Sequence, residues 1–286
     1  MKKVLIIGSA GMLGHVVYLY LKRTGKYHLL ATSNRLCFPE NSLQLDVTEK
    51  AKTESLILEH KPDVVINCVG VLIRGSKNDP SNAIYINAYF PHSLAKILGN
   101  YGGKLIHIST DCVFSGSKGN YTEDDFKDAT DFYGMSKSLG EVNYDNHLTL
   151  RTSIIGPELK ENGEGLFDWF MKSTGNIKGY TNAIWSGVST FELAKVISNV
   201  LNQNQSGLIN ITNGVPINKF ELLNLFKKVF HRKDLSIEKY AEYKSDKSLK
   251  SNRRDFDYSV PSYEEMLTEM KKFMQKNQEI YSKYKF

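Results

Sequence analysis

The chain has 286 residues, enough for one large α/β unit or for about two domains of ordinary size. Hydrophobic residues make up 41% of the sequence and charged residues 24%, which excludes a disordered chain. The net charge is +6, but the basic residues are scattered apart from a modest cluster at residues 244–254. We therefore expect a solvated surface and no nucleic-acid partner, with an anion-tolerant substrate region as the alternative for that cluster.

Two further classes of protein are disfavoured by the apolar runs and the cysteines. No apolar run approaches the roughly 18 residues that a membrane-spanning helix needs, so we expect a cytoplasmic protein with no membrane partner. The cysteines are few, odd in number and widely spaced, which disfavours a disulfide framework and a structural zinc site. We therefore predict that no metal is bound.

Short apolar runs in the first half predict a parallel sheet, because strands buried on both faces are apolar almost throughout. These runs predict strands at residues 3–7, 28–32, 43–45, 64–68, 104–108 and 148–152. Amphipathic stretches between them predict helices at residues 12–23, 50–60, 83–101 and 133–144. The alternation predicts an α/β fold, with a doubly wound parallel sheet between two layers of helices.

The alternation loosens after residue 152, where we expect a second, smaller part of the molecule. Residues 156–186 are rich in glycine and aromatic side chains and interrupt the pattern. Later patterns predict a helix, a strand and two helices, at residues 191–202, 207–211, 217–230 and after Pro261. We expect a core at residues 1–155, continued by about 187–230, and a sequence-discontinuous cap at 156–186 and 231–286.

A glycine-rich turn joins the first strand to the first helix. Gly8 permits the tight turn, Gly11 lets a pyrophosphate approach the backbone, and Gly14 lets the helix pack against the strand. The helix N-terminus adds amide donors and the positive end of its dipole. The turn predicts a Rossmann-like dinucleotide site whose cofactor contacts include the remaining loop residues, Ala10, Met12 and Leu13.

The end of the second strand indicates which dinucleotide is bound. Enzymes that use NAD usually carry a carboxylate there, on the ribose 2′-hydroxyl. Here the strand ends in Ser33, Asn34 and Arg35, which suit a 2′-phosphate, so we expect NADPH, with NADH left open. Asp46, followed by Val47, is expected near the adenine; an N-cap role for Asp46 is equally compatible with the sequence.

A second group of residues predicts acid–base chemistry. Tyr133 and Lys137 are four residues apart on a predicted helix, so their side chains share one face. A lysine ammonium beside a phenol favours the phenolate and is expected to lower the pKa of the tyrosine. Thr110 ends a strand at the sheet edge where doubly wound folds bind ligands, so we expect all three side chains at one site.

With these motifs the sequence resembles the extended short-chain dehydrogenase/reductases, and more closely their dTDP-4-dehydrorhamnose reductase branch. The matching segments are G-S-A-G-M-L-G (8–14), I-N-C-V-G (66–70), I-N-A-Y-F-P-H-S-L-A (86–95), S-T-D-C-V-F-S-G (109–116), Y-T-E-D-D (121–125), Y-G-M-S-K-S-L-G-E (133–141) and L-R-T-S-I-I-G (150–156). The resemblance is dense over residues 1–156 and thin after them.

The resemblance implies a role for each residue of the predicted catalytic group. Tyr133 would be the general acid, Lys137 would hold the nicotinamide ribose and tune Tyr133, and Thr110 would hydrogen-bond the substrate carbonyl. The cofactor groove would also include Cys68, Val69, Gly70, Asn87, Ser109 and Thr152.

The family contains reductases, dehydratases and epimerase-reductases, and the residues after Thr110 favour the first. Similar dehydratases follow the threonine with Asp and Glu, whereas here Asp111 is followed by Cys112. Similar epimerase-reductases pair such a cysteine with a histidine of the cap, but no histidine lies between His147 and His231. We therefore expect reduction of the C4 ketone of a 4-keto-6-deoxy sugar, with Cys112 as a small apolar neighbour.

The nucleotide and the sugar are less constrained. The dTDP-rhamnose reductases usually have a tyrosine where Cys112 stands, and the smaller residue leaves room for an N-acetyl group. We expect a UDP-linked 4-keto-6-deoxy-N-acetylhexosamine used for cell-surface polysaccharide, with dTDP-4-keto-rhamnose as the alternative. Predicted substrate contacts are Arg74, Asp111, Cys112, Val113, Phe114, Asn182, Trp185 and Arg253; for Trp185 a place in the core, and for the arginines a solvated surface, are the alternatives.

A function of another class also fits the fold. Some relatives of this family are regulatory subunits that bind NADP without catalysis, and they tend to lose the tyrosine and the lysine. Because Tyr133, Lys137 and Thr110 are all present, we favour an enzyme. The sequence leaves a homodimer open.

Overall fold

The computed structural model describes residues 1–35 and 37–285. Its strands are β1 (Lys2–Ile7), β2 (Tyr27–Ser33), β3 (Leu43–Gln44), β4 (Val64–Asn67), β5 (Lys104–Ser109), β6 (Leu148–Arg151), β7 (Ile154–Ile155), β8 (Gly175–Trp185), β9 (Val188–Ser189), β10 (Gly207–Asn210), β11 (Ile217–Asn218) and β12 (Leu235–Asp246). Seven of them form one sheet in the order β3-β2-β1-β4-β5-β6-β10. Every neighbouring pair in that sheet is parallel, which confirms the predicted sheet.

Helices flank this sheet on both faces. The helices of the described residues are α1 (Gly14–Thr24), α2 (Lys50–His60), α3 (Ile73–Asn78), α4 (Pro80–Ala83), α5 (Phe90–Gly99), α6 (Phe132–Leu139), α7 (Leu166–Lys172), α8 (Thr190–Val200), α9 (Lys219–Val229) and α10 (Tyr263–Gln275). Successive side chains of β1 point to opposite faces: Val4 and Ile6 pack in the cluster that contains α1 and α8, while Leu5 and Ile7 pack with α2 and α5. The apolar run of β1 therefore serves two layers, as expected for a buried parallel strand.

The helix predicted at residues 83–101 has a wider turn in its middle. A π-helical segment, Ile84–Tyr89, separates α4 from α5. Pro91 has no amide hydrogen, so it cannot donate to the carbonyl of Asn87 as a helix requires. A β-carbon on Gly140 would lie 1.8 Å from that carbonyl oxygen, so Gly140 packs directly against it. Helix α6 ends at Leu139, with Gly140 as its C-cap, and not at residue 144 as predicted.

The prediction of one helix over residues 217–230 was wrong at its start. Ile217 and Asn218 pair with β8 as the short strand β11. The side chain of Asn218 then accepts a hydrogen bond from Glu221 N at 2.9 Å and caps α9. Capping moves the helix start to Lys219, which places the ammonium group of Lys219 near the sheet edge that holds the site.

Residues of the predicted cap lie in two different surroundings. Strand β8 pairs with β11 and β12 in a separate three-stranded sheet. The sequence patterns predicted none of these three strands. Helix α10 instead buries Met270 and Phe273 in the same apolar cluster as Val4 and Ile6. The division into core and cap stays a prediction, with α10 packed against the core.

Residues 1–35 and 37–285 contain neither a candidate membrane-spanning helix nor a candidate metal site. No helix in these ranges is both long enough and apolar enough to cross a membrane. No group of three or more His, Cys, Asp or Glu side chains in these ranges is arranged to hold a metal ion.

Candidate active site

The glycine-rich turn after β1 brings α1 close to the strand. Gly8 has a φ of +84°, a left-handed conformation that glycine adopts at little cost. Its carbonyl oxygen accepts a hydrogen bond from Gly11 N at 3.0 Å. A β-carbon on Gly14 would lie 2.1 Å from the same oxygen. The turn thus depends on glycine at these positions, and α1, with no acidic residue in its first turn, presents its positive end beside it.

Most polar side chains at the end of β2 already have partners. The Ser33 hydroxyl is 2.7 Å from the hydroxyl of Ser42, and the Asn34 amide donates to Asp46 Oδ2 at 3.1 Å. Arg35 is exposed. Of the three residues predicted to bind the 2′-phosphate, Arg35 is therefore the one whose side chain is most accessible to a ligand.

Asp46 closes the turn before α2. Its Oδ1 accepts hydrogen bonds from the backbone and hydroxyl of Thr48, at 3.0 and 2.7 Å. These bonds, with Asn34 and Arg35, lower the pKa of Asp46 below its usual value. The cap position of α2 is Glu49, so the N-cap alternative for Asp46 is wrong. The neighbouring Val47 is buried in the core.

A cavity of about 560 Å³ lies where the strands of the main sheet end. Parallel strands place their carboxyl ends at one edge, which is where doubly wound folds bind ligands. The predicted residues that line this cavity are Ala10, Gly11, Met12, Gly70, Ser109, Thr110, Asp111, Cys112, Tyr133, Lys137 and Thr152. The structure therefore brings the glycine-rich turn and the predicted catalytic residues into one space.

Other residues predicted to contact the cofactor are buried behind the residues that line the cavity. Val69 packs against Gly8, Leu13 is buried, and burial raises the pKa of the Cys68 thiol to about 12. Asn87 is fully buried: its Oδ1 accepts from Val71 N at 2.8 Å and its Nδ2 donates to Val71 O at 2.9 Å. These side chains fix the loop after β4, and their contact with a cofactor stays a prediction.

Tyr133 and Lys137 have unusual acidities. Burial raises the pKa of Tyr133, and the nearby Cys112 adds to this increase. Burial also lowers the pKa of Lys137 to about 8. The expected lowering of the tyrosine pKa by Lys137 is therefore wrong for the protein without ligand, because desolvation of the phenol dominates. Tyr133 is protonated at neutral pH, the state that a general acid requires.

Lys137 ends a buried chain of polar groups that the sequence did not suggest. Its Nζ donates to Ile108 O at 2.6 Å and lies 3.2 Å from His107 Nε2. His107 Nδ1 lies 3.2 Å from Asn67 Nδ2, and Asn67 Oδ1 accepts from Val69 N at 3.1 Å. The sequence did contain a signal for this chain of groups, because Asn67 and His107 are polar residues within the apolar strands β4 and β5. Buried polar groups are nearly always hydrogen-bonded, so each of them indicates a buried polar partner.

Two lysines outside the cavity lining act on Asp111, which lines the cavity beside Cys112. Burial raises the pKa of Asp111, while the positive charges of Lys219 and Lys247 oppose the increase. The Lys219 ammonium lies 4.9 Å from the centre of the Trp185 ring, and burial lowers its pKa to about 8. Neither lysine was among the predicted substrate contacts, because α9 and the segment after β12 meet Asp111 only in three dimensions.

Several predicted substrate residues lie away from the cavity lining. Asn182 donates to Ala241 O within the three-stranded sheet. Arg253 pairs with Asp255 and donates to two carbonyl groups next to or within β10. Trp185 is buried beside Tyr263, as its core alternative proposed. For these residues, contact with a substrate stays a prediction.

The remaining predicted substrate residues flank the cavity. Val113 and Phe114 are fully buried in a small apolar cluster next to Cys112. Arg74 is exposed on α3, between two residues that line the cavity. Their contact with a substrate also stays a prediction.

One wall of the cavity comes from residues that were not among the predicted site residues. Glu158, Leu159, Lys160, Glu164 and Gly165 line it from the segment before α7. Glu158 Oε1 accepts a hydrogen bond from Gly165 N at 2.7 Å, which closes this loop on itself. A β-carbon on Gly165 would lie 2.5 Å from the terminal methyl group of Met12, so the loop lies directly against the glycine-rich turn.

The fold and motifs match known proteins. Residues 1–272 match the family described as the RmlD substrate binding domain. The dTDP-4-dehydrorhamnose reductase of Streptomyces griseus is 34% identical over 139 residues, 48% of this chain and 43% of that protein. Methionine adenosyltransferase 2 subunit beta of Xenopus laevis is 28% identical over 176 residues, 58% of this chain and 52% of that protein. This chain thus spans about half the length of these relatives.

A solved structure extends the likeness over nearly the whole fold. The dTDP-4-dehydrorhamnose reductase of Bacillus anthracis str. Ames, in complex with NADP, has a TM-score of 0.81 at 21% identity. The match covers 96% of this chain and 100% of that structure. These findings confirm the resemblance drawn from the motifs, and this chain belongs to the RmlD substrate-binding domain family.

Proposed function

We propose that this protein is an NADPH-dependent reductase of the C4 ketone of a nucleotide-linked 4-keto-6-deoxy sugar. The observation that carries the proposal is the single cavity lined by the glycine-rich turn, Thr110, Tyr133 and Lys137. A dinucleotide site next to a protonated phenol is the combination that hydride transfer to a ketone requires. The dTDP-4-dehydrorhamnose reductases among the relatives support the same reaction class.

Thr110 and Tyr133 have separate roles in the proposed ketone reduction. NADPH supplies the hydride to C4 when it is bound. Thr110 and Tyr133 donate hydrogen bonds to the carbonyl oxygen, where negative charge develops mainly in the transition state. Tyr133 then transfers its phenolic proton to the alkoxide. Because burial raises the pKa of Tyr133, the phenol keeps this proton until the alkoxide forms.

The glycine-rich turn and the end of β2 fit a dinucleotide with a 2′-phosphate. The close approach of Gly14 to Gly8 O packs α1 against the turn, and the turn residues Ala10, Gly11 and Met12 line the cavity. At the other end, Arg35 is exposed and the sequence offers no carboxylate at positions 33–35. An acidic residue there would repel a 2′-phosphate, so its replacement by arginine favours NADPH over NADH.

We expect Gly14→Ala to weaken NADPH binding by about 5- to 150-fold. The added methyl group collides with Gly8 O, and overpacking of this kind costs about 1–3 kcal/mol. Fluorescence titration of NADPH measures the affinity. Gly99→Ala is the control, because a β-carbon there meets no atom within 4 Å. Unchanged affinity in Gly14→Ala would show that the turn does not hold the cofactor.

For the substrate, we propose a UDP-linked 4-keto-6-deoxy-N-acetylhexosamine. The small side chain of Cys112 faces the cavity and leaves space for an acetamido group. Lys219 and Lys247, which attract Asp111 beside it, suit the negative charge of a nucleotide diphosphate. The dTDP-4-keto-rhamnose alternative fits the same cavity, and the named reductase relatives favour it.

An assay of NADPH oxidation tests the proposal. UDP-4-keto-6-deoxy-N-acetylglucosamine, its L-configured epimer and dTDP-4-keto-rhamnose are offered separately, and absorbance follows the cofactor. Turnover on a UDP ketone supports the reaction and the sugar class. Turnover on the dTDP ketone alone supports the reaction and rejects the sugar. A protein that binds NADPH but reduces none of the three would instead support the alternative of a regulatory subunit that binds NADP without catalysis.

We expect Cys112→Ala to keep kcat/KM within about threefold of the unmodified protein. Burial, together with Asp111, raises the pKa of the Cys112 thiol to about 12, so the thiol is a poor proton donor and acceptor at neutral pH. Loss of a group that transfers a proton costs about 10²–10⁴-fold instead. Steady-state kinetics with the ketone that turns over measures the effect. Deuterium from solvent on the carbons next to C4 of the product would contradict simple reduction.

A further inference from the structure

The chain of buried groups behind Lys137 permits only certain arrangements of hydrogen atoms. Asn67 and His107 are fully buried, and Lys137 is nearly so. The backbone N–H of Val69 needs an acceptor, and Asn67 Oδ1 fills that role at 3.1 Å. The amide nitrogen of Asn67 must then face His107 Nδ1 and donate to it.

This donation selects one tautomer of His107. Burial, with the charge of Lys137, lowers the pKa of His107 well below its usual value, so the ring is neutral. A neutral ring that accepts at Nδ1 carries its proton on Nε2. That proton points at Lys137 Nζ, 3.2 Å away. Only an uncharged amine has the lone pair to accept it.

A charged Lys137 requires the opposite arrangement. An ammonium group has no lone pair, so His107 Nε2 must accept and the ring proton must move to Nδ1. The Nδ1–H group would then face the N–H₂ group of Asn67. Turning the Asn67 amide to remove this clash would leave the Val69 N–H without its acceptor, and a buried unsatisfied donor is costly.

We propose that Asn67 and His107 are positioning residues that couple the protonation of Lys137 to the tautomer of His107. The Nε2–H tautomer accompanies the amine, and the Nδ1–H tautomer accompanies the ammonium. Other groups also face this chain: Glu141, after α6, favours the charged lysine, and His92, on α5, acts on His107. Asn67 and His107 favour the neutral amine of Lys137, whereas Glu141 favours the ammonium form. Because the two effects oppose each other, Lys137 can change its protonation state.

The consequence for turnover rests on the proposed function. In the free protein Lys137 is not held in its charged form, so it does not stabilise the phenolate and Tyr133 stays protonated. Binding of an anionic cofactor beside Lys137 then favours the ammonium, and the His107 proton moves to Nδ1. The positive charge would therefore be present when the phenol has to become phenolate.

Nitrogen-15 NMR of histidine-labelled protein without cofactor tests the coupling directly, because protonated and bare ring nitrogens have well-separated shifts. The His107 signals are identified by their absence in His107→Gln. From about pH 6 to about pH 10, between ordinary histidine and lysine pKa values, we expect the His107 proton to move from Nδ1 to Nε2. A His107 that keeps one tautomer across this range overturns the proposal.

Two variants sharpen the test. In Asn67→Asp the carboxylate accepts from both Val69 N–H and His107, so we expect the Nδ1–H tautomer at every pH. In Lys137→Met we expect Nε2–H at every pH. A His107 tautomer in Asn67→Asp that follows pH as in the unmodified protein also rejects the coupling. These spectra need no substrate, so they remain decisive even if no ketone is reduced.

Asn67→Asp also has an expected effect on the kinetics if the proposed reaction is correct. In Asn67→Asp we expect the alkaline limb of the kcat/KM profile to move to higher pH, because Lys137 keeps its proton longer. A purely structural defect would lower kcat/KM at all pH values without moving the limb.

Discussion

Replacement of Tyr133 by phenylalanine is expected to lower kcat by about 10²–10⁴-fold, the usual contribution of a general acid. The substitution removes one oxygen atom and keeps the ring, so the packing around α6 and the cavity shape are preserved. Thr110 would still donate to the carbonyl oxygen, but no group would deliver the proton. Absorbance of NADPH measures turnover, and fluorescence titration measures cofactor affinity.

Two comparisons decide what the loss in Tyr133→Phe means. NADPH affinity should stay within about twofold, because the missing hydroxyl acts mainly in the transition state. Tyr243→Phe is the matched control, since that side chain is 54% exposed and lies on β12. Turnover by Tyr133→Phe at the rate of the unmodified protein would remove Tyr133 from the mechanism and with it the proposed reaction.

The features that the sequence predicted well are those with a local signal. The apolar runs of β1, β4 and β5 mark strands buried on both faces, and their carboxyl ends necessarily meet at one edge. The turn of Gly8, Gly11 and Gly14 follows such a strand directly. Tyr133 and Lys137 share a helix face by spacing alone.

The features that the sequence could not predict depend on contacts between distant segments. The loop from Glu158 to Gly165 contacts the glycine-rich turn through Gly165 and Met12, which are more than 140 positions apart in the sequence. Lys219, the first residue of α9, acts on Asp111 although the two are far apart in the sequence. Spacing predicted that Lys137 would acidify Tyr133, but burial of the phenol, which spacing cannot report, decides the pKa.

Glu141→Gln is expected to lower the free energy of unfolding by about 3–5 kcal/mol, the cost of leaving a buried charge without its partner. The side chains of Glu141 and Arg151 are each 1% exposed. Arg151 donates to both carboxylate oxygens, at 2.8 and 2.7 Å. Ser109 and Lys127 donate to the same carboxylate at 2.7 and 3.1 Å. The neutral amide cannot balance the guanidinium charge.

Chemical denaturation of the free protein measures this loss, with Glu238→Gln as the exposed control. A matched double variant, Glu141→Gln with Arg151→Met, separates the two sources of instability. Removing both partners leaves no buried arginine charge, so we expect it to unfold at a higher denaturant concentration than Glu141→Gln alone. Equal stability of the single and double variants would show that the unpaired guanidinium is not the cause.

The effect of Glu141→Gln should also depend on pH in one direction. Burial alone raises the pKa of Glu141, but the hydrogen bonds and charge of Arg151, with Lys127, outweigh it, so the pKa lies below its ordinary value of 4.5. A depressed carboxyl pKa contributes stability above the unfolded value and loses it as the pH falls through the folded one. The gap between unmodified protein and variant should therefore be constant near neutral pH and narrow only in acid. A gap that stays the same below the folded pKa would mean that the carboxylate charge is not what holds Arg151, and that shape alone keeps β6 next to the segment after α6.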